Sequence, residues 1–140
     1  MKKKVLFLCT GNSCRSQMAE GIVRHLMSDK IEPYSAGLIP SIVSPYAIKV
    51  MEEIGIDISE QWSKHINELI EIPFDLVVTV CDHAKEYCPV LPGAKKTVHI
   101  PFRDPISAIG TLDEILEEFR KIRDQIREQI PEVLERELPS

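Results

Sequence analysis

The sequence predicts a single α/β domain, residues 1–140, in which a short parallel four-stranded sheet has helices on both faces. Four short apolar runs alternate along the chain with segments whose apolar residues recur at helical spacing, and this alternation is typical of parallel sheets. The length of 140 residues is that of one domain, since a single core usually spans roughly 100–200 residues. No internal repeat or long linker divides the chain.

Each of the four predicted strands is a short run rich in apolar or β-branched residues. The first covers residues 4–8, the second 32–35 and the last 97–100. Residues 74–80, FDLVVTV, are predicted to be the central strand. In an open parallel sheet, ligands bind beyond the carboxyl ends of the strands. The residues that follow these four runs are therefore the first candidates for a functional site.

The first two helices are predicted from apolar residues at helical spacing. In residues 19–26 and 47–54 such residues recur every three or four positions, which places them on one face of a helix. Ser44 precedes the second helix as an N-cap, Pro45 occupies its first position and Gly55 follows its last turn. These are the residue types that begin and end helices, so we expect each helix to pack one face on the sheet.

A longer, charged helix is predicted in the last third of the sequence. It begins at Thr111, whose hydroxyl forms a capping box with Glu114, and it carries an apolar stripe that extends to Ile126. Pro131 is expected to stop the helix after Gln129, because proline lacks the N–H of a helical hydrogen bond. The remaining charged residues are expected to form a solvated face.

Composition and charge exclude several classes of function. Seventeen Lys and Arg against twenty-two Asp and Glu give a net charge of −5, which argues against nucleic acid or anionic membranes as partners. The apolar run after the N-terminal lysines is shorter than the roughly 7–15 residues of a secretion signal, and none approaches the roughly 18–20 of a membrane span. We therefore expect a cytoplasmic monomer, whose four cysteines stay reduced unless their chemistry is redox.

The segment between the first strand and the first helix has the features of an anion-binding loop. A tight loop there points backbone N–H groups inward, and the helix dipole adds positive charge, so the loop suits a tetrahedral oxyanion. Arg15 closes it with a bidentate fork, and Gly11 and Asn12 accept the left-handed backbone that such a loop requires. The segment consists of Cys9, Thr10, Gly11, Asn12, Ser13, Cys14, Arg15 and Ser16.

Cys9 is the candidate nucleophile of this loop. The positive field that attracts an anion also stabilises a thiolate, which would lower the pKa of Cys9 below its usual value of about 8.5. The Walker pattern of nucleotide-binding loops is absent, which disfavours a nucleoside triphosphate. Cys9 follows the first strand, Cys81 the central strand, and Asp104 lies just past the last one. All three are therefore expected at one edge of the sheet.

The loop resembles that of the low-molecular-weight tyrosine phosphatases, in which Cys is followed by five residues, Arg, and Ser or Thr. The resemblance extends to residues 17–21, 35–37 and 104–105. It implies the Rossmann-like fold of those phosphatases. It also implies roles for five residues, with Cys9 as nucleophile, Arg15 as oxyanion clamp, Ser16 as hydroxyl donor to the thiolate, Asn12 as loop stabiliser and Asp104 as general acid. Without the resemblance, Asp104 would be taken equally well as part of a turn.

A second pair of cysteines, Cys81 and Cys88, follows the central strand. Together with the loop, the pair resembles the thioredoxin-coupled arsenate reductases, which share the phosphatase scaffold. The resemblance implies that Cys9 attacks arsenate, that Cys81 attacks the Cys9 adduct and releases arsenite, and that Cys88 then forms a disulfide with Cys81 for thioredoxin to reduce. It implies no bound cofactor and no metal, with thioredoxin as the external reductant.

Other interpretations of these cysteines remain open. The same scaffold could hydrolyse phosphotyrosine or another phosphate monoester, with Cys81 and Cys88 incidental, or the protein could be a non-catalytic oxyanion or thiol-redox sensor. A zinc site is disfavoured, because the six residues between Cys81 and Cys88 exceed the usual spacing of about two to four. Cys14 has no step in the implied cascade and is expected to be a packing residue or a site of oxidation.

The Cys81–Cys88 disulfide carries a geometric condition. If residues 81–88 were helical, seven rises of about 1.5 Å would separate the two Cα atoms by roughly 10 Å. A disulfide tolerates no more than about 7 Å. We therefore expect this segment to form a loop or to unwind when it oxidises.

The resemblance also raises the question of potassium. Some arsenate reductases of this type bind K⁺ through an asparagine, a glutamate, a serine and an aspartate. Asn12, Glu20 and Ser35 match the first three, but Lys64 stands at the fourth position. The Lys64 ammonium is expected to replace the cation and to pair with Glu20, so we expect no potassium dependence. The alternative is that Lys64 is a solvated surface charge.

Overall fold

The computed structural model describes residues 2–80 and 94–138. Its centre is a four-stranded sheet formed by β1 (Lys3–Cys9), β2 (Ile31–Gly37), β3 (Leu76–Thr79) and β4 (Thr97–His99). The strand order is β2-β1-β3-β4, and all three pairs are parallel. The predicted parallel α/β sheet is therefore confirmed, and β3 is an inner strand as expected.

Within the described residues, three α-helices pack on one face of this sheet. They are α1 (Arg15–Leu26), α2 (Pro45–Glu52) and α3 (Leu112–Glu137). Their buried side chains form one hydrophobic cluster with Val5 and Phe7 of β1. The alternate residues of β1, Leu6 and Leu8, face the other side, where they pack with the short 3-10 helix Ile66–Leu69 and with Phe74. Helical segments thus cover both faces within the described residues, and both faces of β1 are buried.

The helix ends follow the predicted signals at most positions. Ser44 caps α2 by accepting a hydrogen bond from the Ala47 N–H, and Gly55 lies beyond the helix with a φ of 78°. Thr111 and Glu114 form the predicted capping box of α3. The 3-10 helices at Ile66–Leu69 and Pro105–Ser107 have no counterpart among the predicted elements.

The predicted stop at Pro131 is wrong, because α3 continues through it to Glu137. The apolar stripe of the helix extends beyond Ile126 to Ile130, Val133 and Leu134, and all three are buried. An internal proline costs about 3 kcal/mol, whereas a fully buried aliphatic side chain contributes about 1.5–3 kcal/mol. Burial of three such side chains outweighs the lost hydrogen bond.

The topology brings residues that are distant in sequence to the carboxyl edge of the sheet. Cys9 ends β1, and Asp104 follows β4 after a short connection. Cys81 and Cys88 lie outside the described residues, as does the expected rearrangement between them. Among the described parts of the chain, no helix has the length and apolar character needed to cross a membrane.

Candidate active site

The loop between β1 and α1 is held by two other segments of the chain. Ile39 N–H donates to the Thr10 carbonyl at 2.8 Å, and Ser44 N–H donates to the Ser13 carbonyl at 3.0 Å. The Gly11 carbonyl accepts from the Ser63 hydroxyl at 3.0 Å. These hydrogen bonds tie the loop to residues 39–44 and to Ser63.

Asn12 is the turning point of the loop. Its φ of 48° lies in the left-handed region, and it is the one non-glycine residue with a positive φ in the described parts of the chain. The expectation of a left-handed residue is confirmed for Asn12. It is wrong for Gly11, which is not among the glycines with positive φ. A Cβ on Gly11 would meet its nearest neighbours at an ordinary 3.8 Å, so neither strain nor crowding requires glycine there.

The side chains of Asn12, Ser16 and Cys9 form a buried chain of hydrogen bonds. Asn12 Nδ2 donates to Ser16 Oγ at 2.8 Å, and Ser16 Oγ lies 2.9 Å from Cys9 Sγ. Both hydrogen bonds are inaccessible to solvent, so water does not compete for the sulfur through this side of the site. The predicted roles of Ser16 as hydroxyl donor to the Cys9 thiolate and of Asn12 as stabiliser of the loop both require this geometry.

Arg15 faces the same edge of the sheet from the start of α1. Its Nη1 donates to the Phe102 carbonyl and its Nη2 to Asp104 Oδ2, each at 3.0 Å. Its Nε is buried and has no hydrogen-bond partner among the described residues. Buried N–H groups are rarely left unpaired, and an oxyanion bound beside the guanidinium would supply the missing acceptor.

Asp104 is positioned by the backbone that follows it. Its Oδ1 accepts from the Ile106 N–H at 3.0 Å and so caps the 3-10 helix Pro105–Ser107, while its Oδ2 accepts from Arg15. The Asp104 side chain is 40% exposed, so solvent reaches it. The predicted convergence of Cys9 and Asp104 is therefore observed, with Arg15 between the two segments.

These residues surround one small cavity. Its volume is about 50 Å³, and its lining consists of Cys9, Gly11, Ser13, Cys14, Arg15, Ser41, Asp104 and Ile106. A single water needs about 10–15 Å³ measured in this way, so the cavity admits a group of a few atoms. A small inorganic oxyanion is of the right size, and a nucleotide is too large.

Cys14 also lines the cavity but differs chemically from a nucleophile. Its side chain is buried, and burial raises the pKa of the thiol to about 11, the largest of several effects. A thiol with this pKa is protonated near neutral pH and reacts slowly. Of the two interpretations given for Cys14, packing is therefore the one that its surroundings favour.

Gly37 is a site residue that the sequence patterns did not single out by themselves. It pairs with Cys9 across β1 and β2. A Cβ on Gly37 would lie 2.7 Å from the Thr10 carbonyl oxygen and 2.9 Å from Asn12 N. No side chain fits against the backbone of the loop at these distances, so the loop can approach β2 only because residue 37 is glycine.

Lys64 is buried, so the alternative that it is a solvated surface charge is wrong. Its side chain is 7% exposed, and its Nζ donates to the Ser35 carbonyl at 2.9 Å and to the Trp62 carbonyl at 3.0 Å. Nζ lies 3.9 Å from Glu20 Oε1, which confirms the predicted pairing. Burial lowers the pKa of Lys64, while the Glu20 carboxylate opposes that shift.

The second cysteine pair is not part of this geometry, because Cys81 and Cys88 lie outside the described residues. The alternative of a zinc site needs both of these cysteines, so it also lies outside the described residues. Within residues 2–80 and 94–138, no three His, Cys, Asp or Glu side chains are grouped closely enough to hold a metal ion.

Comparison with known proteins gives matches over nearly the whole chain. Residues 4–138 match the family described as low molecular weight phosphotyrosine protein phosphatase. The arsenate reductase of Halalkalibacterium halodurans is 50% identical over 129 residues, which is 92% of this chain and 93% of the relative. A solved structure described as an arsenate reductase in the phosphate binding state is 36% identical, with a TM-score of 0.74 over 96% of this chain and 98% of that one.

A further solved structure is that of a thioredoxin-dependent arsenate reductase from Corynebacterium glutamicum. It is 27% identical, has a TM-score of 0.65 and covers 94% of this chain. The match covers 62% of that longer chain.

Replacing Gly37 with alanine is expected to displace the anion loop. Because the new Cβ would meet loop backbone at 2.7–3.0 Å, the loop must move. Loss of one hydrogen bond to a charged ligand costs about 1.5–3 kcal/mol, so binding of inorganic phosphate should weaken by about 10- to 100-fold. Isothermal titration calorimetry measures the affinity. Gly55→Ala is the control. The φ of Gly55, 78°, lies in the left-handed region, so this substitution lowers the free energy of unfolding by about 1 kcal/mol without contact to the loop. Unchanged phosphate affinity in Gly37→Ala would contradict this account.

Stability is expected not to depend on potassium, because the Lys64 ammonium already fills the space between Glu20 and the Ser35 carbonyl. Calorimetry in KCl and in NaCl at equal ionic strength should give the same melting temperature.

Lys64→Ala removes hydrogen bonds from a charged donor and should lower the free energy of unfolding by about 2 kcal/mol. The exposed Lys121→Ala should change it by no more than about 0.5 kcal/mol. If the melting temperature of the unaltered protein rises in KCl but not in NaCl, the Lys64 ammonium does not take the place of a bound K⁺.

Proposed function

The chain belongs to the low-molecular-weight phosphotyrosine protein phosphatase family, and on that premise we propose that it is an arsenate reductase whose reaction takes place in the cavity of Cys9 and Arg15. The single observation that carries the proposal is the Nε of the buried Arg15 beside Cys9, which has no hydrogen-bond partner within residues 2–80 and 94–138. A cysteine and an arginine with a spare N–H around about 50 Å³ suit a tetrahedral oxyanion. The names of the relatives supply arsenate as that oxyanion.

Binding of arsenate begins with an exchange of partners at Arg15. Without a ligand, Nη2 is bonded to Asp104 and Nη1 to the Phe102 carbonyl. An arsenate oxygen bonded to Nε and a second one bonded to Nη2 form the planar, bidentate arrangement that guanidinium favours. Asp104 is thereby released from its bond to Arg15.

The first chemical step joins sulfur to arsenic. The Cys9 thiolate attacks arsenic and forms an S–As bond, while an As–O bond breaks and the hydroxyl group leaves as water with the proton of Asp104. The Ser16 hydroxyl, 2.9 Å from Sγ, stabilises the thiolate before the attack. Arg15 balances the negative charge on the arsenate oxygens during it.

The two-electron reduction requires a second thiol, and we assign it to Cys81 on the basis of the sequence resemblance. Cys81 attacks Cys9 Sγ, an S–S bond forms, and the S–As bond breaks with its electron pair remaining on arsenic, which leaves as arsenite. Cys88 then attacks Cys81, so that the disulfide moves to Cys81–Cys88 and Cys9 is again a thiolate. Both cysteines lie outside the described residues, so their roles rest on the sequence.

The reductant and the location follow from the same chemistry. A dithiol protein is needed to return two electrons to the Cys81–Cys88 disulfide, and we propose thioredoxin, with support from the thioredoxin-dependent neighbour. The reaction needs no bound cofactor or metal, since all electrons come from thiols. A reducing compartment keeps the three cysteines ready, which supports the cytoplasmic location predicted above. The protein is proposed to act as a monomer.

A phosphatase of the same scaffold is the second candidate. The loop and Asp104 suit a phosphate monoester as well as arsenate, and the matching family is named for phosphatases. In that case Cys9, Arg15 and Asp104 keep their roles, and the leaving group is an alcohol. Only the arsenate reaction uses Cys81 and Cys88, so those two residues separate the candidates.

The cascade is tested by following arsenate-dependent oxidation of reduced thioredoxin. Cys81→Ser and Cys88→Ser should each abolish multiple turnover, because the first removes the thiol that releases arsenite and the second the thiol that regenerates Cys9. Hydrolysis of an aryl phosphate serves as the control and should be largely unaffected in both variants. Undiminished arsenate turnover in either variant would refute the cascade. Aryl phosphate hydrolysis in the unaltered protein, without arsenate turnover, would favour the phosphatase.

Asp104→Asn is expected to separate binding from catalysis. The amide cannot supply the proton for the departing oxygen, so the rate of the first step should fall by about 100-fold or more. The dissociation constant for phosphate should not increase, since a negative charge that competes for Arg15 has been removed. Single-turnover kinetics measures the first quantity and calorimetry the second. A normal rate, or clearly weaker phosphate binding, would remove Asp104 from its assigned role.

A further inference from the structure

We infer that Gln17 is a positioning residue that sets the direction of the hydrogen bond between Ser16 and Cys9. Gln17 lies in the first turn of α1 and is fully buried. It touches neither Cys9 nor the cavity lining in the described contacts, and it acts through Asn12. The inference rests on the proposed function only in taking Cys9 as the nucleophile.

The orientation of the Gln17 amide is fixed by its neighbours. The two protons on its Nε2 are shared among three acceptors, the Asn12 carbonyl at 3.0 Å, Asn12 Oδ1 at 2.9 Å and the Trp62 carbonyl at 3.0 Å. Its Oε1 accepts from Gln61 Nε2 at 2.7 Å. All three atoms around Nε2 are acceptors, so a reversed amide would place oxygen against oxygen.

Gln17 and the Lys64 backbone N–H together determine the orientation of the Asn12 amide. Asn12 Oδ1 accepts from Gln17 Nε2 and from the Lys64 backbone N–H, the latter at 3.0 Å. With two donors on its oxygen, the Asn12 amide can present only its Nδ2 to Ser16, and Nδ2 donates to Ser16 Oγ at 2.8 Å. Gln17 also bonds the carbonyl of Asn12, and so supports the left-handed backbone at this residue.

The orientation of the Asn12 amide determines where the single hydroxyl proton of Ser16 points. A serine hydroxyl has one donor and accepts through its lone pairs, and here it accepts from Asn12, which offers no acceptor in return. The Ser16 proton is therefore directed to Cys9 Sγ, 2.9 Å away. A hydrogen bond donated to a thiolate stabilises the charged form. If the Asn12 amide were reversed, its oxygen would accept the Ser16 proton and the sulfur would lose this donor.

The test is the pH dependence of Cys9 alkylation in Gln17→Met, which keeps the size of the side chain and removes its donors. Iodoacetamide is applied over a range of pH, and tandem mass spectrometry distinguishes Cys9 from Cys14 within the tryptic peptide of residues 5–15. We expect the midpoint for Cys9 to move upward by about one pH unit. A merely structural role would lower stability without moving this midpoint.

Two controls define the comparison. Gln61→Met removes an amide of the same size from the other side of Gln17, where it contacts Oε1, and should leave the midpoint unchanged. Ile126→Val, in the core of α3, supplies a loss of stability without contact to the loop. A midpoint that is unchanged in Gln17→Met, or that moves equally in Ile126→Val, would overturn the inference.

A measurement on the unaltered protein applies if Gln17→Met does not fold. In an NMR titration, the side-chain amide resonances of Gln17 and Asn12 should shift with the same midpoint as Cys9 alkylation. Resonances that do not follow Cys9 would refute the inference. Neither experiment uses arsenate, so a protein that fails to reduce arsenate but passes these tests would contradict the proposed function alone.

Discussion

The site depends on the left-handed backbone of Asn12, which bends the chain from β1 into α1. For a residue with a Cβ this conformation costs roughly 1–2 kcal/mol, so the surrounding structure has to stabilise it. Hydrogen bonds from Gln17 and from the Lys64 backbone do so, and Gly37 leaves room for the loop against β2. Three separate parts of the chain are thus arranged around one residue. The position of Cys9 and the direction of its hydrogen bond both follow from that arrangement.

The sequence predicts the parts of this molecule that depend on local patterns. Local patterns predict the strands, the caps at Ser44 and Thr111, and the loop with Cys9 and Arg15, because each is encoded by neighbouring residues. They assign no role to Gln17 or Gly37, since the contacts of these two residues arise only when distant segments meet. Gln17 bonds Trp62 across 45 positions, and Gly37 meets the loop across β1 and β2. The stop at Pro131 was wrong because a local rule ignores the buried stripe that continues beyond it.

Charge in this protein acts locally. The net charge of −5 repels anions at long range, yet Arg15 is buried at the cavity, and one of its N–H groups has no partner in the part of the chain that the structure describes. A buried cation without a partner costs several kcal/mol, and Asp104 and the Phe102 carbonyl reduce that cost in the absence of a ligand. Lys64 follows the same rule, since its ammonium is bonded to two carbonyls beside Glu20.

The pairing of Arg15 with Asp104 ties two distant segments of the site together in the absence of a ligand. The guanidinium at the start of α1 is bonded at 3.0 Å to a carboxylate that follows β4. In the proposed reaction, an oxyanion that takes over Nη2 replaces Asp104 as the partner of Arg15. The carboxylate is also bonded to the Ile106 N–H, and that bond keeps it beside the cavity after the exchange. The contact that stabilises the buried guanidinium without a ligand therefore also holds Asp104 where the proposed reaction uses it.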